Sequence, residues 1–177
     1  MNREHLISEL KNYTAFDTRE EEMRKRYLMF VENNVDCFKR ELLIGHCTGS
    51  CWVLNQDRTK VLLIHHAKLN KWLQPGGHCD GEEDVYSVAK KELEEETGLK
   101  PISENRTLFD LDIHKIPERK GVPEHEHFDL RFVFIVDENQ PLQHNHETND
   151  MKWLAISDLE TFTKEQSVTR MRDKTIQ

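Results

Sequence analysis

The stretch Gly76-Gly77-His78-Cys79-Asp80-Gly81-Glu82-Glu83-Asp84-Val85-Tyr86-Ser87-Val88-Ala89-Lys90-Lys91-Glu92-Leu93-Glu94-Glu95-Glu96-Thr97-Gly98-Leu99 decides the fold. Pro75 and the two glycines break the chain, and a helix is predicted from about Glu83 to Thr97, closed by Gly98 as its C-cap. Val85, Val88, Ala89 and Leu93 recur at helical spacing, so one face of this helix has a core to pack against. Glu92, Glu95 and Glu96 stand at i, i+3 and i+4, which places three carboxylates on one face. Like charges that close favour a cation between them. Hard oxygen ligands on a rigid helix suit magnesium, which keeps several waters for a phosphate to replace. Read alone, Lys-Glu-Leu-Glu-Glu-Glu is an ordinary solvated acidic face. The adjacent Gly76-Gly77 changes that reading, because backbone without Cβ atoms can approach a metal or a phosphate closely.

Working outward, Cys47–Leu54 and Val61–His65 read as strands joined by the turn Asn55-Gln56-Asp57-Arg58. Further strands are predicted at 107–114, 127–136 and 151–156. Ser157 is expected to cap a helix starting Asp158-Leu159-Glu160, and a weaker helical pattern covers 163–174. Residues 1 to about 40 look helical. Thr18-Arg19-Glu20-Glu21 fits a capping box with Thr18 as the cap, and Met23, Tyr27, Phe30 and Val31 form one apolar stripe behind it. The expected organisation is an N-terminal helical extension over 1–41 and a main domain over 42–177. The fold class is α/β (α+β): an α/β/α sandwich around a mixed sheet.

Composition narrows the function. The 177 residues suit one domain with a short extension, and 3 Trp, 3 Tyr and 8 Phe argue against disorder. A formal charge of −8 argues against general nucleic-acid binding, which selects clustered Lys and Arg. Met1-Asn2-Arg3-Glu4-His5 lacks a signal-peptide core, and no run reaches membrane-spanning length, so a cytoplasmic protein is expected. Cys37, Cys47, Cys51 and Cys79 include no CxxC pair and are expected as free thiols.

The 76–99 segment resembles the Nudix box, whose pattern is Gly, five residues, Glu, seven residues, then Arg-Glu-aliphatic-any-Glu-Glu-any-Gly-aliphatic. Gly77, Glu83, Glu92, Leu93, Glu95, Glu96, Gly98 and Leu99 fall in register, eight of nine defined positions. The ninth departs: Lys91 stands where the family carries Arg. It keeps the charge but loses the forked geometry that can hold two carboxylates. Trp72-Leu73-Gln74-Pro75 upstream, and Glu147, Trp153-Leu154 and Ser157 downstream, are similar to the family's loop entry and late elements. Gly45-His46-Cys47-Thr48-Gly49-Ser50, His65-His66 and Gln74–His78 together resemble a bacterial Nudix subgroup with a helical N-terminal extension.

The resemblance implies a hydrolase that cleaves a phosphoanhydride bond in a nucleoside-diphosphate-linked small molecule with Mg2+, for which Mn2+ can substitute. It admits a homodimer and implies no membrane partner. Carried over by position, Glu92, Glu95 and Glu96 would ligate the metal, with the Gly76 carbonyl as a further ligand. Glu95 ranks first as general base and Glu147 second. Gly77, Glu83, Lys91 and Gly98 would support the loop and helix. His78 follows the glycine bend as a substrate contact. Period-2 alternation in 127–132 puts His127, Asp129 and Arg131 on one face, where Arg131 could hold a phosphate and the others a base or sugar, or where the three could simply form an exposed polar face. His46, Thr48 and Ser50 share another strand face.

Two other readings remain at this stage. One is a Nudix-fold sensor that binds a nucleotide diphosphate without cleaving it, kept open by Lys91. The other is a prenyl-diphosphate isomerase, for which Cys47 or Cys79 would serve. The ten histidines also invite a transition-metal site, from His65-His66 with His78 or from His125, His127, His144 and His146. His65 and His66 point to opposite strand faces, which works against their sharing an ion.

Overall fold

A computed structural model of the chain describes residues 2–67, 70–119, 121–143 and 148–177. Two helices come first, α1 (Arg3–Asn12) and α2 (Thr18–Asn33). Strands β1 (Gly45–Asn55), β2 (Lys60–His66), β3 (Lys71–Leu73) and β4 (Gly76–His78) precede helix α3 (Val85–Thr97). Strands β5 (Leu108–Ile116), β6 (His125–Val136) and β7 (Thr148–Ala155) follow. A 3-10 turn (Ile156–Asp158), helix α4 (Leu159–Phe162) and helix α5 (Gln166–Ile176) end the chain.

The strands form one mixed sheet in the order β3-β2-β1-β6-β5, with β4 added to β1 and β7 to β2. β1 is its hub. One edge pairs with β6 in parallel along its full length, from Gly45↔Glu126 to Asn55↔Val136. The other edge meets β4 at Thr48–Ser50 and β2 at Val53–Leu54, both antiparallel. This split lets the glycine bend of β4 enter the sheet beside the middle of β1.

Alternation sorts the two faces. Cys47, Cys51, Val53, Phe128, Leu130, Phe132 and Phe134 join the main core with Val85, Ala89 and Leu93 of α3. Leu6, Leu10, Met23, Tyr27, Phe30 and Val31 from α1 and α2 belong to the same core, so the N-terminal helices are packed elements and not a tail. The Tyr27 hydroxyl donates to the Phe128 carbonyl at 2.8 Å, and Phe30 stacks on the Phe128 ring at 3.8 Å. Trp52, Leu54, Val61, Leu63 and Leu154 form a second core on the other face with Leu159, Val168 and Met171.

Several local expectations shift. Asp17, not Thr18, caps α2: its side chain accepts the Glu20 amide at 2.7 Å. Glu20, three residues after the cap, reaches back to accept the Phe16 amide at 2.6 Å. The capping pair therefore sits one residue earlier than the pattern predicted, because Glu20 is drawn into the interior while Glu21 pairs with Arg24 at the surface. α3 starts at Val85 and not at Glu83. Gly98 ends it as expected, at φ 73° with its amide on the Glu94 carbonyl at 2.9 Å. Ser157 caps no helix, since its hydroxyl turns to the Asp158 side chain inside a 3-10 turn, and the expected 163–174 helix runs over Gln166–Ile176. Among the described residues, no helix is long and apolar enough to cross a membrane.

Candidate active site

The last turns of α3 face the glycine bend. The Gly76 amide donates to Glu96 Oε2 at 2.9 Å, and Glu96 is only 6% exposed. A Cβ on Gly77 would lie 2.5 Å from the Glu92 carboxyl carbon, so glycine there leaves the space that the Glu92 carboxylate fills. Glu92 and Glu96 thus converge on Gly76-Gly77, one half-buried and one buried. Glu95 is exposed at the rim, where Lys91 pairs with it at 3.3 Å. Lys91 therefore takes up the third acid of the cluster. These acids crowd the C-terminal end of α3, where the helix dipole is already negative and no basic residue stands in the last turn. Burial pushes the nearby Cys51 thiol up, and the Glu96 and Glu92 charges push it further. Two hard carboxylates and an unhindered backbone in a field this negative fit a hard divalent cation with oxygen ligands.

The loop between bend and helix is anchored on both sides. Glu83 accepts the backbone amide of Arg3 at 2.8 Å and so ties the loop to α1. Arg40 pairs with Asp80, and Gly81 donates to the Phe38 carbonyl at 2.9 Å. The segment before β1 thus fixes the loop's outer turn.

On the other face of β1 the polar residues do not wait for a ligand. Asp129, 2% exposed, accepts Thr48 Oγ1 and Ser50 Oγ at 2.8 Å each and Arg131 Nε at 2.8 Å. Arg131, also 2% exposed, extends to Asp110 at 3.2 Å and Asp112 at 3.4 Å. The guanidinium offered by the alternation to a phosphate is instead committed to three carboxylates. That corrects the expected phosphate clamp, and it corrects the exposed-face alternative as well. Arg170 of α5 donates to both oxygens of Asp110 at 2.8 Å. Lys174 reaches Asp110 and the wholly buried Glu20. Four acids from α2, β5 and β6 meet three bases from β6 and α5, so the network closes nearly neutral. Burial would raise the Asp112 carboxyl, but Arg131, the His114 hydrogen bond and Arg170 outweigh it and hold it below the usual carboxylate range. For Asp110, too, burial opposes and loses to Arg170 and Arg131.

Beside this network lies a group of histidines. His46, His125 and His127 place ring nitrogens within 4.8 Å of one another. His78 Nε2 stands 3.2 Å from His127 Nε2, and the His114 ring is 5.4 Å from that of His127. Burial, then the neighbouring rings, push His46 down to about 4 and His127 to about 2, so both are neutral imidazoles at physiological pH. His127 and His78, expected to touch substrate, are therefore joined here to each other. Sequence reasoning missed this assembly, because only the parallel register His46↔His127 brings β1 beside β6. Of the other histidines considered, His65 packs on Trp72 at 5.2 Å, while His144 and His146 lie outside the described residues, as does Glu147. Cys47 and Cys79 are buried thiols held protonated by burial on the helix-covered side, as small core residues.

Comparison with known proteins agrees with this geometry. No curated protein sequence matches the chain. Among solved structures, the MutT protein from Methanosarcina mazei Go1 superposes with a TM-score of 0.61 at 14% identity, covering 75% of this chain and 93% of that one. A C. elegans Ap4A hydrolase gives 0.59 at 17% identity over 72% and 93%. The NUDIX domain of Shewanella oneidensis NrtR, solved with ADP ribose, gives 0.51 at 18% identity over 73% and 85%. These likenesses show a shared fold. The NUDIX domain family model matches residues 46–173, most of the chain and all of the acidic helix with its glycine bend, and the chain belongs to the Nudix family.

Proposed function

We propose that the protein is a magnesium-dependent Nudix hydrolase that cleaves a phosphoanhydride bond in a nucleoside-diphosphate-linked small molecule. The observation that carries this reading is the convergence of Glu92 and Glu96 on the Gly76-Gly77 bend. Glu92, Glu95 and Glu96, with the Gly76 carbonyl, would hold the cation, and Mn2+ would serve in its place. When bound, such a cation neutralises charge on phosphate oxygens, the main demand of phosphoryl transfer.

The chain's own residues supply the rest. Glu96, buried and held by the Gly76 amide, fixes the distance between loop and helix. Glu92 fills the space over Gly77 and keeps its oxygens on the same side. Glu95 is exposed at the rim, open to solvent, which suits a general base that takes a proton from the attacking water. Glu147 is the second choice for that role. Lys91 pairs with Glu95 at 3.3 Å and so orients its carboxylate at the rim. His127 and His78 border the same strand as the glycine bend and would contact substrate from there, whereas Arg131 and Asp129 would act through the floor beneath it.

The relatives' printed names agree in chemical class: one is an Ap4A hydrolase, another, from E. coli, a dihydroneopterin triphosphate pyrophosphohydrolase, and NrtR's domain was solved with ADP ribose. The Lys91–Glu95 pair also leaves room for a sensor that binds without cleaving. A panel of nucleoside triphosphates, ADP-ribose, dinucleotides and sugar nucleotides, assayed with Mg2+ for monophosphate products, separates the two. Turnover of at least one member, abolished by Glu96→Gln with unchanged circular dichroism, supports the hydrolase. Tight binding with no turnover of any member would establish the sensor instead.

A further inference from the structure

The carboxylate chemistry proposed for α3 uses no histidine as a metal ligand, and His78 and His127 enter it only as neighbours of the substrate. We propose that His46, His125 and His127 form a second metal site, built for a borderline transition-metal ion of the zinc class and separate from the carboxylate site.

His46 carries the argument furthest. It is 3% exposed, and neither ring nitrogen has a hydrogen-bond partner among the described residues. The Leu42 backbone stands near the ring without meeting hydrogen-bond geometry. A buried imidazole with unsatisfied nitrogens is unfavourable unless something occupies them. What its ring faces is three further imidazoles: His78 and His125 at 5.1 Å and His127 at 4.9 Å between ring centres.

His125 is oriented for coordination. Its Nδ1–H donates to the Pro123 carbonyl at 2.8 Å, which leaves the lone pair on Nε2. A metal-binding histidine characteristically has its other nitrogen held in this way. The nitrogens of His46, His125 and His127 lie within 4.8 Å of one another. Zinc holds imidazole nitrogens at about 2.0–2.1 Å, so two ligands of a tetrahedral ion stand roughly 3.3 Å apart. Binding would draw these nitrogens together by up to about 1.5 Å. The 3.2 Å between His78 Nε2 and His127 Nε2 already has this spacing, which makes His78 the natural fourth ligand. At the rim, Asp112 holds His114 Nδ1 at 3.3 Å and adds negative charge beside the site.

The donor set names the metal class. Three imidazole donors without a carboxylate favour zinc, cobalt, nickel, copper or iron over magnesium, which prefers oxygen. The frame is rigid, since His46 and His127 are register partners in the long parallel pairing of β1 and β6. His125 and His127 are half-buried, so an ion can enter from solvent on their side.

The test uses the full chain, stripped of metal and titrated with Co2+ without Mg2+ or substrate. We expect a visible absorption band that saturates at one Co2+ per chain, is displaced by Zn2+ and survives excess Mg2+. His125→Ala should weaken cobalt binding at least about tenfold, since removing even a supporting partner of a metal ligand costs that much. Glu96→Gln should leave the band in place. His125→Gln, closer in volume, serves as the second variant, and circular dichroism verifies that each is folded. The proposal is overturned if wild type shows no band, if excess Mg2+ removes it, or if folded His125 variants keep it while Glu96→Gln loses it.

Discussion

The Gly76 amide and the Glu96 carboxylate meet at 2.9 Å, joining a strand edge to the end of a helix twenty residues on. That bond ties the bend of β4 to the acids of α3. A small change in the bend therefore acts on the carboxylates directly.

Gly77→Ala tests this coupling. The new methyl group would displace the Glu92 carboxylate while leaving the core of α3 untouched. We expect Mg2+ affinity to fall by about 10–100-fold, the scale set by disturbing ligand orientation, with the melting temperature within a few degrees of wild type. Isothermal titration with Mg2+ and a thermal melt check both halves. Unchanged affinity would mean that Glu92 does not work against the bend.

The ionic network makes a separate demand. Arg170→Met leaves Asp110 and Asp112 with one base fewer in a buried setting. Breaking one side of a buried pair costs about 3–5 kcal/mol. For a chain of this size, about 1 kcal/mol corresponds to roughly 2–4 °C, so the melting temperature should drop by about 6–20 °C. A melt curve decides it, and a drop under about 3 °C would show that solvent reaches the network freely.

The same carboxylates set an acid limit. Against burial, Arg170 and Arg131 hold the folded-state carboxyls of Asp110 and Asp112 below the ordinary aspartate range. The unfolded chain then binds more protons, so stability rises with pH across that interval. Their contribution is fully present above about pH 5 and is lost as pH falls below about 4 toward the folded values. Urea unfolding midpoints between pH 6 and 2.5 should show the fall, and Arg170→Met should flatten it.

The two neighbouring cap residues separate cleanly. Asp17→Ala removes the side chain that accepts the Glu20 amide and should cost about 1 kcal/mol. Thr18→Ala, inside the first turn, should cost a few tenths at most. Denaturant midpoints of the two variants measured side by side establish which residue caps α2.

Much of the molecule was legible from local pattern. The acids at i, i+3 and i+4, the glycine pair before them and Gly98 after them needed only helical spacing and the permissiveness of glycine. The apolar stripe of α2 likewise announced its burial through Met23, Tyr27, Phe30 and Val31. Each of these signals depends on residues within one or two turns, where backbone geometry dictates which side chains share a face.

What the tertiary structure alone decided depends on register between distant segments. The alternation at 127–132 put His127, Asp129 and Arg131 on one face, but it could not reveal that β5 and α5 bring Asp110, Asp112 and Arg170 to occupy that face. Nor could it reveal that β1 lies parallel to β6 and sets His46 beside His127. Glu20 stood only as an inner position of the expected capping box, and it is a buried partner of Lys174 because α5 returns across 154 residues. A side chain's face follows from its own strand or helix, whereas its partner follows from chain pairing, which no local spacing encodes.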